Sequence, residues 1–361
     1  MRPLAANYIQ SLDPYIPGKA IPHLIKLASN ENPFGPSPKV IAAAQKAVLG
    51  ANRYPTLHRE ALKEKICEFH AEHQLHPRQI ALGNGTSELI TLLTRTLMTS
   101  QDALLNFWPS FVMYRLTAQA HGCAEITVPL KADLSYDVEA LSEVFQKPGA
   151  DRIKLLFLAN PNNPTGVYLN SKDFEALLRQ IPEDVVVVLD EAYTNFVRAK
   201  DYPNGLSWLQ RRPRMVVMRT FSKAYGMAGF RIGYAVCDPE ITDLYHRVRD
   251  PFNVNHIAQE SAMAALEDQA YLAQSTEKTL QERARLEAKL TELGFSYTPS
   301  QCNFVLAHVG QAEKLCKYLF NQGIVVRPVA NYGLSKDLRI TVGTPEENDA
   351  LFTALEKFAS I

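Results

Sequence analysis

The chain has 361 residues, 46% of them hydrophobic and 21% charged, with 38 Lys and Arg balancing 38 Asp and Glu. Such a length suits one large domain plus a smaller one. Zero net charge excludes a global field that would draw the chain to nucleic acid or to an anionic membrane, and no apolar run approaches the roughly 20 residues of a membrane helix.

The opening, MRPLAANYIQSLDPYIPGK, lacks the apolar core of a signal peptide. Five scattered cysteines without a Cys-x-x-Cys pair point to reduced thiols in a cytoplasm, not to a disulfide frame or a zinc site. Pro14, Pro17, Pro22, Pro33, Pro36 and Pro38 exclude a regular helix at the start, so residues 1–40 are expected to form an arm that also contributes to the smaller domain. Further on, HAEHQLHP spaces His70, His73 and His76 by three, which could bring two imidazoles to one helix face as a metal site requires. Pro77 ends the helix there and no cysteine or acidic partner completes a ligand set, so a polar helix end is expected and no metal.

Between Ile80 and Val236, apolar runs alternate with amphipathic stretches. ALLNF, IKLLFLA, DVVVVLD and RMVVMR are continuous, as strands buried on both faces are, and DFEALLRQI reads as a crossover helix. The pattern predicts an α/β domain over 41–254, a mainly parallel sheet covered by helices. From about His256 a long helical region runs to Gly294, followed by the strand candidates NFVLAHV, GIVVRPV and LRITVG. That predicts a smaller α+β domain over 255–361.

Ligands of an open parallel sheet bind outside the carboxyl ends of its strands, so the residues just after each run are the candidates for chemistry. After QIAL comes GNGTSELI, whose glycines free the backbone and whose Thr86 or Ser87 could cap a helix beginning near Glu88. This is either an anion site at a helix N-terminus or simply a turn. Phe111, after ALLNF, could stack on a planar ligand or pack in the core. NPNNPTG is a rigid turn presenting the amide of Asn163. Asp190 and Tyr193 come after DVVVVL, and a carboxylate at a buried strand end needs a cationic or hydrogen-bonding partner, unless it is a helix cap. RTFSK then supplies Thr220, Ser222 and Lys223, with Arg231 close behind. These hydroxyls, the arginine and the glycine-loop amides suit a phosphate monoester.

An anion site, a stacking ring, a carboxylate, a phenol, an amide and a lysine able to form an imine are all used by one cofactor, pyridoxal phosphate. Lys223 would hold its aldehyde, and an acidic residue would keep its pyridine nitrogen protonated. Tyr193 and Asn163 would hydrogen-bond the phenolic oxygen and lower the basicity of the imine.

From PYIPGK, KLASNENPFGPSP and RYP, through GNGTSELI, NPNNPTG, VVVVLDEAY and RTFSKAYGMAGFRIGY, to PFNVN, PSQCNFVL and LRITVGT, the chain resembles the fold-type I aminotransferases. The likeness is greatest to those that handle histidinol phosphate. The resemblance implies a cytoplasmic homodimer with active sites shared across the subunit interface. Lys223 resembles the Schiff-base lysine and Asp190 the partner of the ring nitrogen. Thr86, Ser87, Thr220, Ser222 and Arg231 match the phosphate cradle, and Tyr54 matches a tyrosine reaching the cofactor phosphate of the other subunit. Arg339 matches the arginine that grips the anionic end of the substrate. Arg327 would add a second charge, unless it forms a surface ion pair, and Tyr15 in the arm could close over a substrate phosphate. Phe111 stands where tyrosine is frequent, and Thr86–Ser87 where Ser-Asp or Ala-Asp is common.

The implied reaction transfers the amino group of glutamate to imidazole-acetol phosphate in histidine biosynthesis. Aromatic amino-acid transamination is a nearby alternative, and related scaffolds decarboxylate threonine phosphate. A pyridoxal-phosphate-sensing regulator would carry an added DNA-binding domain, for which the residues before PYIPGK are too few.

Overall fold

Runs of Val, Leu and Ile with no polar alternation can only be strands if both faces of the sheet are covered. In the computed structural model, which describes residues 4–12, 23–55 and 60–360, they are. Strand β1 (Ile25–Leu27) precedes seven strands of a first sheet. These are β2 (Ile80–Gly83), β3 (Ala103–Trp108), β4 (Ala124–Pro129), β5 (Ile153–Ala159), β6 (Val186–Asp190), β7 (Met215–Thr220) and β8 (Gly233–Cys237). Their order is β2-β8-β7-β6-β5-β3-β4, and only β8 runs against its neighbours. Along β5, Leu156 and Leu158 enter the core on one face, while Leu155 and Phe157 enter the core on the other. All four are buried.

A second sheet, β1-β11-β12-β10-β9, is built from β9 (Ser296–Thr298), β10 (Phe304–His308), β11 (Ile324–Val329) and β12 (Leu334–Thr341), with β1 parallel to β11. Leu27, Leu286, Leu315, Ile340 and Leu355 meet in its core. The proline-rich opening is therefore not wholly irregular. It supplies β1, and Pro38 begins a helix, Pro38–Val48, whose first turn is capped where Val40 N donates to Ser37 Oγ at 3.3 Å. Pro is tolerated there because a first-turn residue has no intrahelical acceptor for an N–H.

The long helical region expected after His256 is two helices, His256–Glu267 and Gln269–Glu292, broken at Asp268 (φ −107°, ψ 57°). Asn255 caps the first, accepting from Ala258 N at 2.8 Å, and Gly294 lies just past the second in the left-handed region at φ 76°. Among the described residues no helix is long and apolar enough to cross a membrane.

Candidate active site

A cavity of about 210 Å³ opens where the carboxyl ends of β5, β6 and β7 meet β11 and β12. Every sequence candidate except Tyr54 and Tyr15 lines it. Tyr15 lies outside the described residues. Tyr54 lies elsewhere, 79% exposed and stacked on Phe252 at 4.3 Å, in a hollow with Asn84 and Asn253.

At one end of the cavity the β2 turn delivers a helix N-terminus. The helix begins at Thr86 rather than near Glu88, and its N-cap is Gly85, so neither Thr86 nor Ser87 acts as a cap. The reason is steric and conformational. Gly85 has φ 78° and ψ 171°, and a Cβ there would lie 2.5 Å from Arg231 Nη2. The turn thus packs backbone against a guanidinium and leaves both hydroxyls to the cavity. Arg231 donates to Asn84 O at 3.2 Å and to Ser222 Oγ at 3.4 Å, and Ser222 N donates to Thr220 Oγ1 at 3.1 Å. Uncapped amides, four hydroxyls and a guanidinium make a concave anion site.

Asp190 ends β6, and its carboxylate is not a helix cap: Oδ2 accepts from Tyr114 OH at 3.0 Å and Oδ1 from Ala192 N at 3.1 Å. Burial pushes its pKa up to about 6, against the pull of those two donors. Behind it, Glu191 accepts from Arg219 Nη2 at 2.8 Å, a buried pair that ties the ends of β6 and β7 together. Lys223 Nζ donates to Ser29 O at 3.2 Å and lies 5.8 Å from the Tyr193 ring centroid. Burial, reinforced by Arg339, lowers its pKa to about 8. Phe111 lines the cavity edge-on to Tyr114 at 5.6 Å.

At the other end, β12 carries Arg339, buried at 6% exposure, which donates to Asn163 Oδ1 at 2.5 Å and to Ala28 O at 2.8 Å. Arg327 is its cross-strand partner on β11 and also lines the cavity. Among the described residues Arg327 has no ion pair. The NPNNPTG turn is held by its own amides, Asn162 Nδ2 donating to Thr165 Oγ1 at 2.8 Å and Asn160 Nδ2 to Leu169 O at 3.2 Å. That places Asn163 against Arg339.

The lining residues that escape sequence reasoning include Asn30, Tyr114 and Tyr332. Asn30 stands in the proline-rich opening, away from any long apolar run, although an asparagine at positive φ (55°) is a recognisable turn former. Tyr114 is three residues beyond Phe111, and Tyr332 sits in the β11–β12 connection. The histidines of the cluster make local structural contacts. His70 is buried against Tyr234 OH at 2.8 Å, with its pKa lowered to about 3 by burial and Arg219, while His76 Nδ1 accepts from Arg78 N. Among the described residues no group of three His, Cys, Asp or Glu could hold a metal ion.

Residues 22–355 match the family model described as aminotransferase class I and II. Over 97% of its length the chain is 41% identical to histidinol-phosphate aminotransferase 2 of Hydrogenovibrio crunogenus, covering 95% of that protein. It is 42% identical over 98% of both chains to the histidinol-phosphate aminotransferase of an Anaeromyxobacter species. The histidinol-phosphate aminotransferase of Sinorhizobium meliloti, solved in complex with pyridoxal-5'-phosphate, superposes with a TM-score of 0.89 at 28% identity, with 99% of this chain and 98% of that one covered. An aspartate aminotransferase of Thermus thermophilus shares the fold at TM-score 0.85. The chain belongs to the class I and II aminotransferases.

Proposed function

We propose that the protein is a pyridoxal-phosphate-dependent transaminase that converts glutamate and imidazole-acetol phosphate to 2-oxoglutarate and histidinol phosphate, acting in histidine biosynthesis. The residues present suit the cofactor. The cradle at Gly85 excludes any Cβ and presents amides, hydroxyls and Arg231 to a phosphate. Among the described residues the buried Asp190 carboxylate accepts hydrogen bonds from neutral donors alone, so a protonated ring nitrogen would supply a directly bonded positive partner. When bound, pyridoxal phosphate supplies an electron-poor ring that takes up the electron pair left on the amine-bearing carbon as its proton departs.

The chain's own residues do the rest. Lys223, with its pKa near 8, is unprotonated for a useful fraction of the time near neutral pH. Its Nζ can therefore anchor the cofactor and carry a proton to and from the substrate carbon. Tyr193 and Asn163 present polar atoms beside it, and Phe111 offers a ring face to a planar group. The residues 28–30 segment and the second sheet form one wall of the cavity, tied together where Arg339 donates to Ala28 O.

One observation carries the substrate assignment. Arg327 and Arg339 face each other across the β11–β12 pair at the cavity wall, and like charges placed directly opposite are unfavourable unless an anion lies between them. A phosphate dianion suits two guanidiniums, whereas the carboxylate of phenylalanine or tyrosine needs one. The test is kcat/KM for histidinol phosphate, phenylalanine and tyrosine with 2-oxoglutarate as acceptor. Histidinol phosphate is expected to lead, and a preference for phenylalanine would favour the aromatic reading. Arg339→Ala should impair both half-reactions, since each charge-assisted hydrogen bond is worth about 1.5–3 kcal/mol. Arg327→Ala should impair histidinol phosphate more than glutamate in single-turnover kinetics, and equal losses would remove its phosphate-specific role.

We extend the same reading to a cytoplasmic homodimer with shared sites, in which Tyr15 closes over the substrate phosphate. We divide each protomer into a large domain over 41–254 and a small one over 255–361, with 1–40 forming an arm and part of the small domain. Tyr54, distant from its own cavity yet held in place by Phe252, would serve the partner's cofactor phosphate. Exposed Ile41, Val48 and Leu49 on the helix after the arm supply apolar surface for such an interface.

A further inference from the structure

Asn30 passes between the two sheets, 1% exposed. Its backbone N–H donates to Thr341 Oγ1 at 2.9 Å, and Thr341 Oγ1 donates in return to Asn30 Oδ1 at 3.2 Å. A hydroxyl has a single proton to give, and among the described residues that of Thr341 has no other acceptor. Its placement settles which way round the Asn30 amide faces. Nδ2 must then point at Tyr193 OH, which it reaches at 2.9 Å. A second anchor, Asn303 Nδ2 donating to Asn30 O at 3.1 Å, keeps the residue from turning. Because Tyr193 accepts from Asn30, its own proton is left over, and Tyr193 borders the cavity.

We infer that Thr341 and Asn30 are positioning residues forming a one-way series of hydrogen bonds, from β12 through Asn30 to Tyr193, that commits the Tyr193 proton to the ligand in the cavity. With the opposite polarity Tyr193 would spend that proton on Asn30 Oδ1 and meet the ligand only as an acceptor. The inference rests on the proposed cofactor, whose phenolic oxygen Tyr193 would serve. Donation to that oxygen favours its ionised form and so lowers the pH at which the lysine-bound cofactor takes up a proton.

That pH is read from the visible absorption of the holoenzyme. Tyr193→Phe is expected to raise the midpoint by about one pH unit or more. Asn30→Asp replaces the donor with an acceptor and draws the Tyr193 proton back, so the midpoint should rise as well. The new carboxylate also acts through its charge, so the same change is made in Tyr193→Phe, where the rise should be clearly smaller. Thr341→Val, which adds no charge, should raise the midpoint, and Thr341→Ser should restore it. The groups facing Tyr193, namely Lys223, Arg339, Asp190 and Cys302, are the same in every variant. Equal Asn30→Asp shifts in the two backgrounds, or a wild-type midpoint in Thr341→Val, would overturn the inference. A wild type that forms no titrating band fails the cofactor assignment itself, which is a different outcome from an unshifted band.

Discussion

Two side chains lining the cavity have their pKa values drawn towards neutrality by their surroundings. Asp190 is pushed up to about 6 by burial and Lys223 down to about 8 by burial and Arg339. The sign of each shift has a consequence for the cofactor-free protein. A carboxyl whose pKa is raised on folding costs stability as pH climbs through the ordinary carboxylate range to about 6, and the cost persists above it. Asp190→Asn should therefore stabilise the apoprotein, by about 1–3 kcal/mol at pH 8 and less at pH 5, since one pKa unit is worth about 1.4 kcal/mol. Thermal unfolding at the two pH values checks this, and a larger gain at pH 5 would contradict the sign. The same variant should bind pyridoxal phosphate but lose several orders of magnitude in kcat, because no charged partner then holds the ring nitrogen protonated. Lys223→Ala should lose covalent attachment, so that borohydride reduction and peptide mapping find label on Lys223 in the wild type and none in the variant. Both residues were legible in the sequence because each comes directly after a strand-like run, where a buried polar group needs a reason. Asn30 was not legible, since its importance comes from Thr341 and Tyr193, partners far away in the chain that only folding brings close.

Among the elements, the turn from β2 into the helix Thr86–Leu97 is the one whose chemistry depends most on a missing side chain. Gly85 combines a backbone conformation that L-residues avoid with a Cβ position claimed by Arg231. Gly85→Ala should cost about 1–3 kcal/mol in strain and displace the guanidinium from the phosphate cradle. The expected result is a lower apoprotein Tm together with at least tenfold weaker pyridoxal phosphate binding, and unchanged affinity would mean that Arg231 is not part of the cradle. Five strands of the large sheet, β2, β3, β5, β6 and β7, could be read from continuous apolar runs, which admit burial on both faces. β4 could not, because it lies at the sheet edge with most residues part-exposed, and β1 and β9 are three residues each. The break at Asp268 was equally hidden, because helical periodicity continues on both sides of it. Asparagine at the start of the first of those helices is a cap with a measurable share, so Asn255→Ala should lower stability by about 1 kcal/mol.

For the molecule as a whole, the proposed homodimer, in which a site assembled from two sheets is completed by a second copy, would make activity a property of the pair. Mixing Tyr54→Phe and Lys223→Ala protomers should recover part of the activity each lacks, because one site in each mixed dimer keeps both residues. Heterodimers that gain nothing would count against a shared site. The β1–β11 register has a consequence for the order of events in the cell. Ile25 pairs with Ile324, about 300 residues further along the chain, and β12 comes next with Arg339 and Thr341. At about 5–20 residues per second, β1 leaves the ribosome roughly 15–60 s before its partner strand exists. The segment that carries Asn30 must wait through the synthesis of about 300 residues with its hydrogen-bonding edge open, so the cavity is finished only once β11 and β12 have been made, and a nascent chain halted before β11 would have a large sheet but no working site.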